Sequence, residues 1–472
     1  MEIANFLCKK MEENLHFQPT QGQLNLFKNL STFIVSPPDK YSLMLIKGYA
    51  GTGKTTAISA FIKVLNEIKQ KFVLIAPTGR AAKVLSNYSK KPAKTIHKQI
   101  YRQKTLSDAF SKFTIDLNKH RDTIFIVDEA SLITNGWGNE GSIFGSGDLL
   151  DDLITYVRGN VGNKLILMGD SAQLPPVGLT QSPALDIDYL SQYGTVLDST
   201  LTEVVRQAQK SGILYNATLL RKDIEIQDES APKFVCKGYK DFKRLRGGEL
   251  IEELNLAIDK YGLDEVVVLC KSNARANKYN MGIRQSVLFM EDQLTRGDKL
   301  MVVKNCYQFL EKIPELDFIA NGDVAELIKI SNYQERYGLH FAQATLCFPD
   351  YNNVEIDAKI ILDTLESVSP ALDKDQQRLL FDQVYEDYAH ITTKKKRIEA
   401  VREDKYFNAL QVKYAIAITG HKSQGGQWKC AFIDNNLWGE DVTLDDKKWL
   451  YTAITRGVEQ VYLVNFKDIY FE

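Results

Sequence analysis

An α/β fold with parallel sheets is predicted by two features of this chain. Short apolar runs recur along it, each ending in polar or glycine residues, and segments of helical period such as 56–69 lie between them. Buried strands with functional groups at their C-terminal ends, joined by helices, read as a βαβ parallel sheet. A second set of runs beyond residue 260 predicts a second sheet, so two α/β domains are expected, each with an insertion.

Taken in order, the first strand is Leu43, Met44, Leu45, Ile46, followed by Gly48, Tyr49, Ala50, Gly51, Thr52, Gly53, Lys54, Thr55 and Thr56. This is G-x-x-x-x-G-K-[ST] between strand and helix, where glycines let backbone N–H groups curl around a phosphate and the helix N-terminus adds positive potential. Lys54 is placed to neutralise the β- and γ-phosphates, and the Thr55 hydroxyl to ligate Mg²⁺. The run implies binding of a nucleoside triphosphate.

Phe72, Val73, Leu74 and Ile75 lead into Pro77, Thr78, Gly79 and Arg80. The strand at 123–127 ends in Asp128 and Glu129: the first to hold Mg²⁺, the second to orient and deprotonate the attacking water. The strand at 164–168 ends in Gly169, Asp170, then Gln173, Leu174, Pro175 and Pro176. The Gln173 amide suits a γ-phosphate or the lytic water. Arg206, after Thr202, Glu203 and Val204, and Arg456, after Tyr451, Thr452 and Thr455, carry planar guanidinium groups that stabilise a transferring phosphoryl group bidentately.

The second sheet is expected from the runs at 266–269, 414–418, 431–433 and 461–464. Between 295 and 410 the texture changes, with strands of a small barrel at 298–304 and 324–330 and one long charged helix at 374–407. The expected division is therefore 1–210, then 211–294 with 411–472, and 295–410 as an insertion.

With 472 residues and a net charge of −1, the chain is too long for one core and too neutral for an unspecific polyanion binder. The six cysteines are scattered without a C-x-x-C pair, which argues for reduced thiols in a cytoplasmic protein and against zinc or disulfides. The N-terminus lacks a secretory pattern and no apolar stretch is long enough to span a membrane, so no membrane partner is expected.

The ordered series of the phosphate loop, Ala-Pro-Thr-Gly-Arg, Asp-Glu-Ala-Ser, Gly-Asp-x-x-Gln-Leu-Pro-Pro-Val, Thr-Glu-Val-x-Arg-Gln, Thr-Gly-His-Lys-Ser-Gln-Gly and Tyr-Thr-Ala-Ile-Thr-Arg resembles the motifs of superfamily 1B helicases. The set looks like the RecD/Dda branch, with the Pif family as a near relative, and runs from about residue 15 to 457. The resemblance implies two RecA-like motor domains, a small pin inserted at 98–122 and an SH3-like barrel with a helical extension in the second. It also implies ATP and Mg²⁺ as ligands, 5′→3′ travel on single-stranded DNA, and a monomeric motor working with replication, repair or recombination proteins.

By the same likeness Gln23 reads adenine, Gly425 faces the nucleotide cleft, and DNA is held by Pro77, Thr78, Arg80, Thr95 and His97 in the first domain. In the second it is held by Thr419, His421, Lys422 and Ser423, with Asn277 a weaker candidate. Phe110 and Phe113 in the pin either stack on a duplex fork or anchor a short hairpin. The run from Lys394 to Arg397 either touches duplex or is a solvated helix face. Where many relatives have glutamate, this chain has Gln427, whose amide suits a ribose hydroxyl. No function is read from the glycine-rich stretch 136–147. A nucleotide-gated DNA-binding switch, and the motor subunit of a helicase–nuclease complex, are the alternatives to a helicase. No residue distinguishes DNA from RNA as the tracking strand.

Overall fold

The computed structural model describes residues 2–15, 17–103, 113–136, 144–205, 210–306, 319–437 and 441–472. Six strands form an all-parallel sheet in the spatial order Ala93–Thr95, Lys71–Ala76, Thr123–Val127, Lys164–Gly169, Leu43–Gly48, Val196–Leu201. Its central strands are buried throughout and mostly apolar because both faces are covered. Met44 and Ile46 pack on one side with Phe27 and Phe61, while Leu43 and Leu45 pack on the other with Phe125 and Leu153.

The second sheet is also all-parallel, in the order Ala417–Thr419, Val266–Cys270, Trp428–Asp434, Gly457–Val464, Phe242–Leu245. Ala172 and Leu174, from the loop after first-domain strand Lys164–Gly169, are buried in its core beside Trp449 and Leu450. The two domains thus share apolar packing across their cleft.

Inserted in the second domain is a closed barrel of Lys299–Val302, Val324–Arg336, Leu339–Phe348, Val354–Ile361 and Leu410–Tyr414. The last strand corrects the expected boundary at 410 and the expected single strand at 414–418. The apolar run serves two structures: Ala415 N–H still bonds to Lys299 O (2.9 Å), while Ile416 O already accepts from Val268 N–H (3.0 Å). Apolar periodicity does not separate two consecutive buried strands.

The charged segment expected as one helix is two, Lys374–Asp387 and Lys394–Glu403. Arg397 folds back between them, donating to Tyr385 O (2.7 Å) with its guanidinium 3.7 Å from the Tyr385 ring centre. It is thus withdrawn from the basic face, leaving Lys394, Lys395 and Lys396 exposed. At 98–122, Tyr101–Gln103 pairs with Phe113–Ile115 as an antiparallel hairpin.

One buried ion pair joins helix Asn273–Ser286 to the barrel entrance. Arg284 Nε and Nη2 donate to the two Asp298 oxygens at 2.7 and 2.9 Å, and both side chains are 1% exposed. Removing one partner strands a buried charge. Asp298→Ala is therefore expected to destabilise the chain by about 3–5 kcal/mol in chemical denaturation; a loss under about 1 kcal/mol would refute this account of the junction.

Candidate functional site

The sheet order puts the ends of Leu43–Gly48, Lys164–Gly169 and Thr123–Val127 side by side, so their three polar motifs meet at one edge. Gly51 (φ +75°) and Gly53 (φ +74°) take the left-handed backbone that turns the loop into helix Lys54–Glu67. Any Cβ at Gly53 would lie 2.4 Å from Gln23 Nε2. Thr52 is buried and donates to Tyr49 O (2.8 Å), whereas Thr55 and Thr56 are exposed at the helix start. Lys54 packs back over Gly48, 3.2 Å from the position of a Cβ there.

Asp128 is buried and held by two donors: Tyr88 Oη to Oδ2 (2.8 Å) and Glu129 N–H to Oδ1 (2.9 Å). Glu129 itself has φ +52°, a costly backbone for a non-glycine residue. Its Oε2 is buried without a hydrogen-bond partner, and so is Gln173 Oε1. Burial raises the Glu129 pKa, opposed first by the Lys54 charge and also by that of Arg456. Burial likewise raises Asp170, with Lys54 and Tyr451 opposing. An orphaned buried acceptor costs about 1–3 kcal/mol. Both lie on the motifs expected to handle water, where each leaves an acceptor for a donor to meet. A strand–glycine-loop–helix turn, an exposed Thr55 and a tethered Asp128 fit a magnesium-bound triphosphate.

Arg456 is 4% exposed and turned onto its own domain, donating from Nε to Thr452 O (3.0 Å), from Nη1 to Gly426 O (3.0 Å) and from Nη2 to Thr455 Oγ1 (3.2 Å). Gln23 completes a capping box with Thr20, and its amide donates to Thr52 O (3.2 Å). It therefore braces the phosphate loop from behind, with its oxygen and one N–H engaged by backbone. Arg206 and Phe110 lie outside the described residues.

Several expected DNA contacts have other partners here. Ser423 is fully buried and donates to Gly420 O (2.7 Å), so its hydroxyl faces inward. Asn277 is redirected too, donating to Glu366 O (2.8 Å) and Ser367 O (2.9 Å) and pinning the barrel extension. Thr95 is buried as the cap of helix Ile96–Ile100. Phe113 is buried against Phe144 at 4.7 Å, which selects hairpin anchoring over fork stacking. His97 packs edge-on to Phe144, and burial lowers its pKa to about 4, so it is neutral at physiological pH and not a cationic phosphate ligand.

Arg80 stacks on Trp428 of the second domain, 3.8 Å from the ring centre, with Nη2 directed to Gln427 O (3.4 Å); the Gln427 side chain is exposed. Gly425 (φ +73°) closes against helix Gly79–Ser89, where a Cβ would meet Ala81 and Thr78, so it lies at the domain contact. Thr78 caps that helix, and Pro77 is half-buried before it. A barrel loop covers the same helix end: Tyr351 Oη donates to Asp323 at 3.0 Å, and Lys83 pairs with Asp350 at 2.9 Å. Thr419 is half-buried at its strand end, His421 is exposed, and Lys422 donates to Asn321 of the barrel.

Sequence reading missed Tyr88 and the cross-domain grips. Gln424 Nε2 donates to Leu174 O (2.6 Å), Leu174 N–H donates to Thr452 Oγ1 (2.9 Å), and Tyr451 reaches Ala50 and Asp170. Tyr451 and Thr452 were visible in the motif around Arg456, but nothing local in the sequence announces partners so distant.

Residues 21–230 match the family described as AAA domain, and residues 414–464 match the UvrD-like helicase C-terminal domain. The ATP-dependent DNA helicase dda of Enterobacteria phage T4 is 25% identical, covering 94% of this chain and 99% of its own length. The ATP-dependent RecD2 DNA helicase of Deinococcus radiodurans is 30% identical over 183 residues, which are 38% of this chain and 21% of that protein. Among solved structures, that of Bacteroides Pif1 bound to ssDNA covers 97% of this chain and 94% of its own, at 14% identity and TM-score 0.45.

Proposed function

We propose that this chain, which belongs to the superfamily 1B helicases, hydrolyses ATP to travel 5′→3′ along single-stranded DNA and to part the duplex ahead of it. The observation that carries the reading is the pair of orphaned buried acceptors, Glu129 Oε2 and Gln173 Oε1, beside a glycine loop whose neighbouring loop is gripped by the other motor domain.

In this scheme the phosphate-loop amides and Lys54 bind the triphosphate, and Thr55 with Asp128 holds Mg²⁺. Held there, Mg²⁺ would supply positive charge against the negative charge that develops on the phosphates. Gln173 orients the water and Glu129 takes its proton. Arg456 leaves its backbone acceptors to meet the γ-phosphate, with Arg206 as its partner by family likeness. Gln23 reads adenine by family likeness, once its amide leaves Thr20 and the Thr52 carbonyl. Closure and reopening of the cleft shift the DNA grips of the two domains relative to each other, giving steps.

Pro77, Thr78, Arg80, Thr419, His421 and Lys422 remain the proposed DNA contacts, reached once the barrel loop over helix Gly79–Ser89 withdraws. The chain is proposed to act as a monomeric motor in the cytoplasm, at single strands and forks, beside replication, repair or recombination proteins. No helix among the described residues is long and apolar enough to cross a membrane.

Duplexes with a 5′ or a 3′ single-stranded tail test the reading. Unwinding of the 5′-tailed substrate alone is expected. Activity on the 3′-tailed substrate alone would refute the direction. DNA-stimulated ATPase with neither unwound would favour a nucleotide-gated switch.

A further inference from the structure

Tyr451, on helix Leu444–Ile454 of the second motor domain, reaches across the cleft into the first. Its Oη accepts the Ala50 N–H of the phosphate loop at 2.9 Å and donates to Asp170 Oδ2 at 2.6 Å. The side chain is 1% exposed, so both bonds are shielded from water and keep their strength. The next residue, Thr452, accepts Leu174 N–H, and Gln424 donates to the Leu174 carbonyl. The second domain thus holds both ends of the loop 170–174, which carries Gln173, while Gln173 Oε1 is itself unpartnered.

We propose that Tyr451 is a positioning residue whose hydroxyl keeps the phosphate loop and the Gln173 loop in one register when the motor domains close, so that hydrolysis waits on closure. The inference rests on the ATP-driven translocase reading. A phenol in this place does what an apolar ring cannot: it accepts from one loop and donates to the other. Burial already pushes the Asp170 carboxyl above its ordinary range, so loss of the Tyr451 donor shifts it further toward the neutral, unanchored form.

Tyr451→Phe in the full chain keeps the ring among Trp449, Leu450 and Ile454 and removes both bonds. With saturating single-stranded DNA, kcat is expected to fall about tenfold to thirtyfold. The KM for ATP and the affinity for a fluorescent ADP analogue should stay within about twofold, and the melting temperature within a few degrees. The ratio of DNA-stimulated to basal turnover should drop most. Thr452→Val, which removes a bond to the same loop, should give the same kcat-only loss and add little to Tyr451→Phe; it also serves should the phenylalanine variant fail to fold. A normal stimulation ratio in a folded Tyr451→Phe, or a rate loss that merely follows melting temperature, would overturn the proposal. ATP hydrolysis by the unaltered chain with no response to DNA would overturn the translocase reading and this proposal with it.

Discussion

Lys54→Ala is expected to leave a folded chain with no measurable DNA-stimulated ATPase and no unwinding. The side chain is partly exposed at the start of helix Lys54–Glu67, lying over Gly48, and its charge acts on Glu129 and Asp170. Its removal deletes no core volume, so stability should change by less than about 1 kcal/mol. In the proposed mechanism, however, its charge offsets the negative charge developing on the β- and γ-phosphates. Deleting one preorganised electrostatic donor costs about a hundredfold to a thousandfold in kcat, and losing a full positive charge there belongs at or beyond the upper end. A second consequence follows from Glu129 and Asp170, both of which Lys54 holds down against burial. Without it their pKa values rise further, and the base is protonated over more of the working pH range. Steady-state turnover with and without oligonucleotide, beside a thermal melt, checks the expectation. Single-strand-stimulated turnover surviving in a folded Lys54→Ala would sink the nucleotide assignment.

The glycine loop was legible because a local backbone requirement and a residue type coincide there. Gly51 and Gly53 are glycines because their φ values demand it, and Lys54 and Thr55 follow at the helix start, so a nine-residue string carries the whole phosphate loop. Parallel strands were legible because burial on both faces makes them continuously apolar. The same property hid the break after Tyr414, since a barrel strand and a sheet strand in succession give one unbroken apolar run. Nor does residue type alone fix a polar side chain's partner. Asn277 has the groups to hold a nucleotide and instead satisfies two carbonyls of the barrel extension, while Arg80 has the charge for a phosphate and lies on Trp428. Tyr451 meets Asp170 from 281 residues away, a contact created by tertiary packing that no window along the sequence contains.

Glu129→Gln separates nucleotide binding from its cleavage more cleanly than the lysine variant. The substitution keeps shape and hydrogen-bonding reach but removes the basic oxygen, and general-base catalysis is worth about a hundredfold to ten-thousandfold. ATP affinity should be almost unchanged, because Lys54, Thr55 and the loop amides are untouched. The variant should therefore hold ATP uncleaved with the cleft closed, grip single-stranded DNA in the presence of ATP, and not unwind. It also tests the acid limb of the unaltered enzyme. A carboxyl whose pKa is raised by burial is protonated at a higher pH than an ordinary glutamate, so kcat should fall on acidification earlier than an exposed glutamate would make it. In Glu129→Gln that limb should vanish from the residual rate. The left-handed backbone at this position is unaffected by the change, so a melting temperature near that of the parent is expected. If Glu129→Gln hydrolysed ATP at the parental rate, the proton would be leaving by another route; Asp170, buried beside Lys54 with its own pKa raised, would be the group to substitute next.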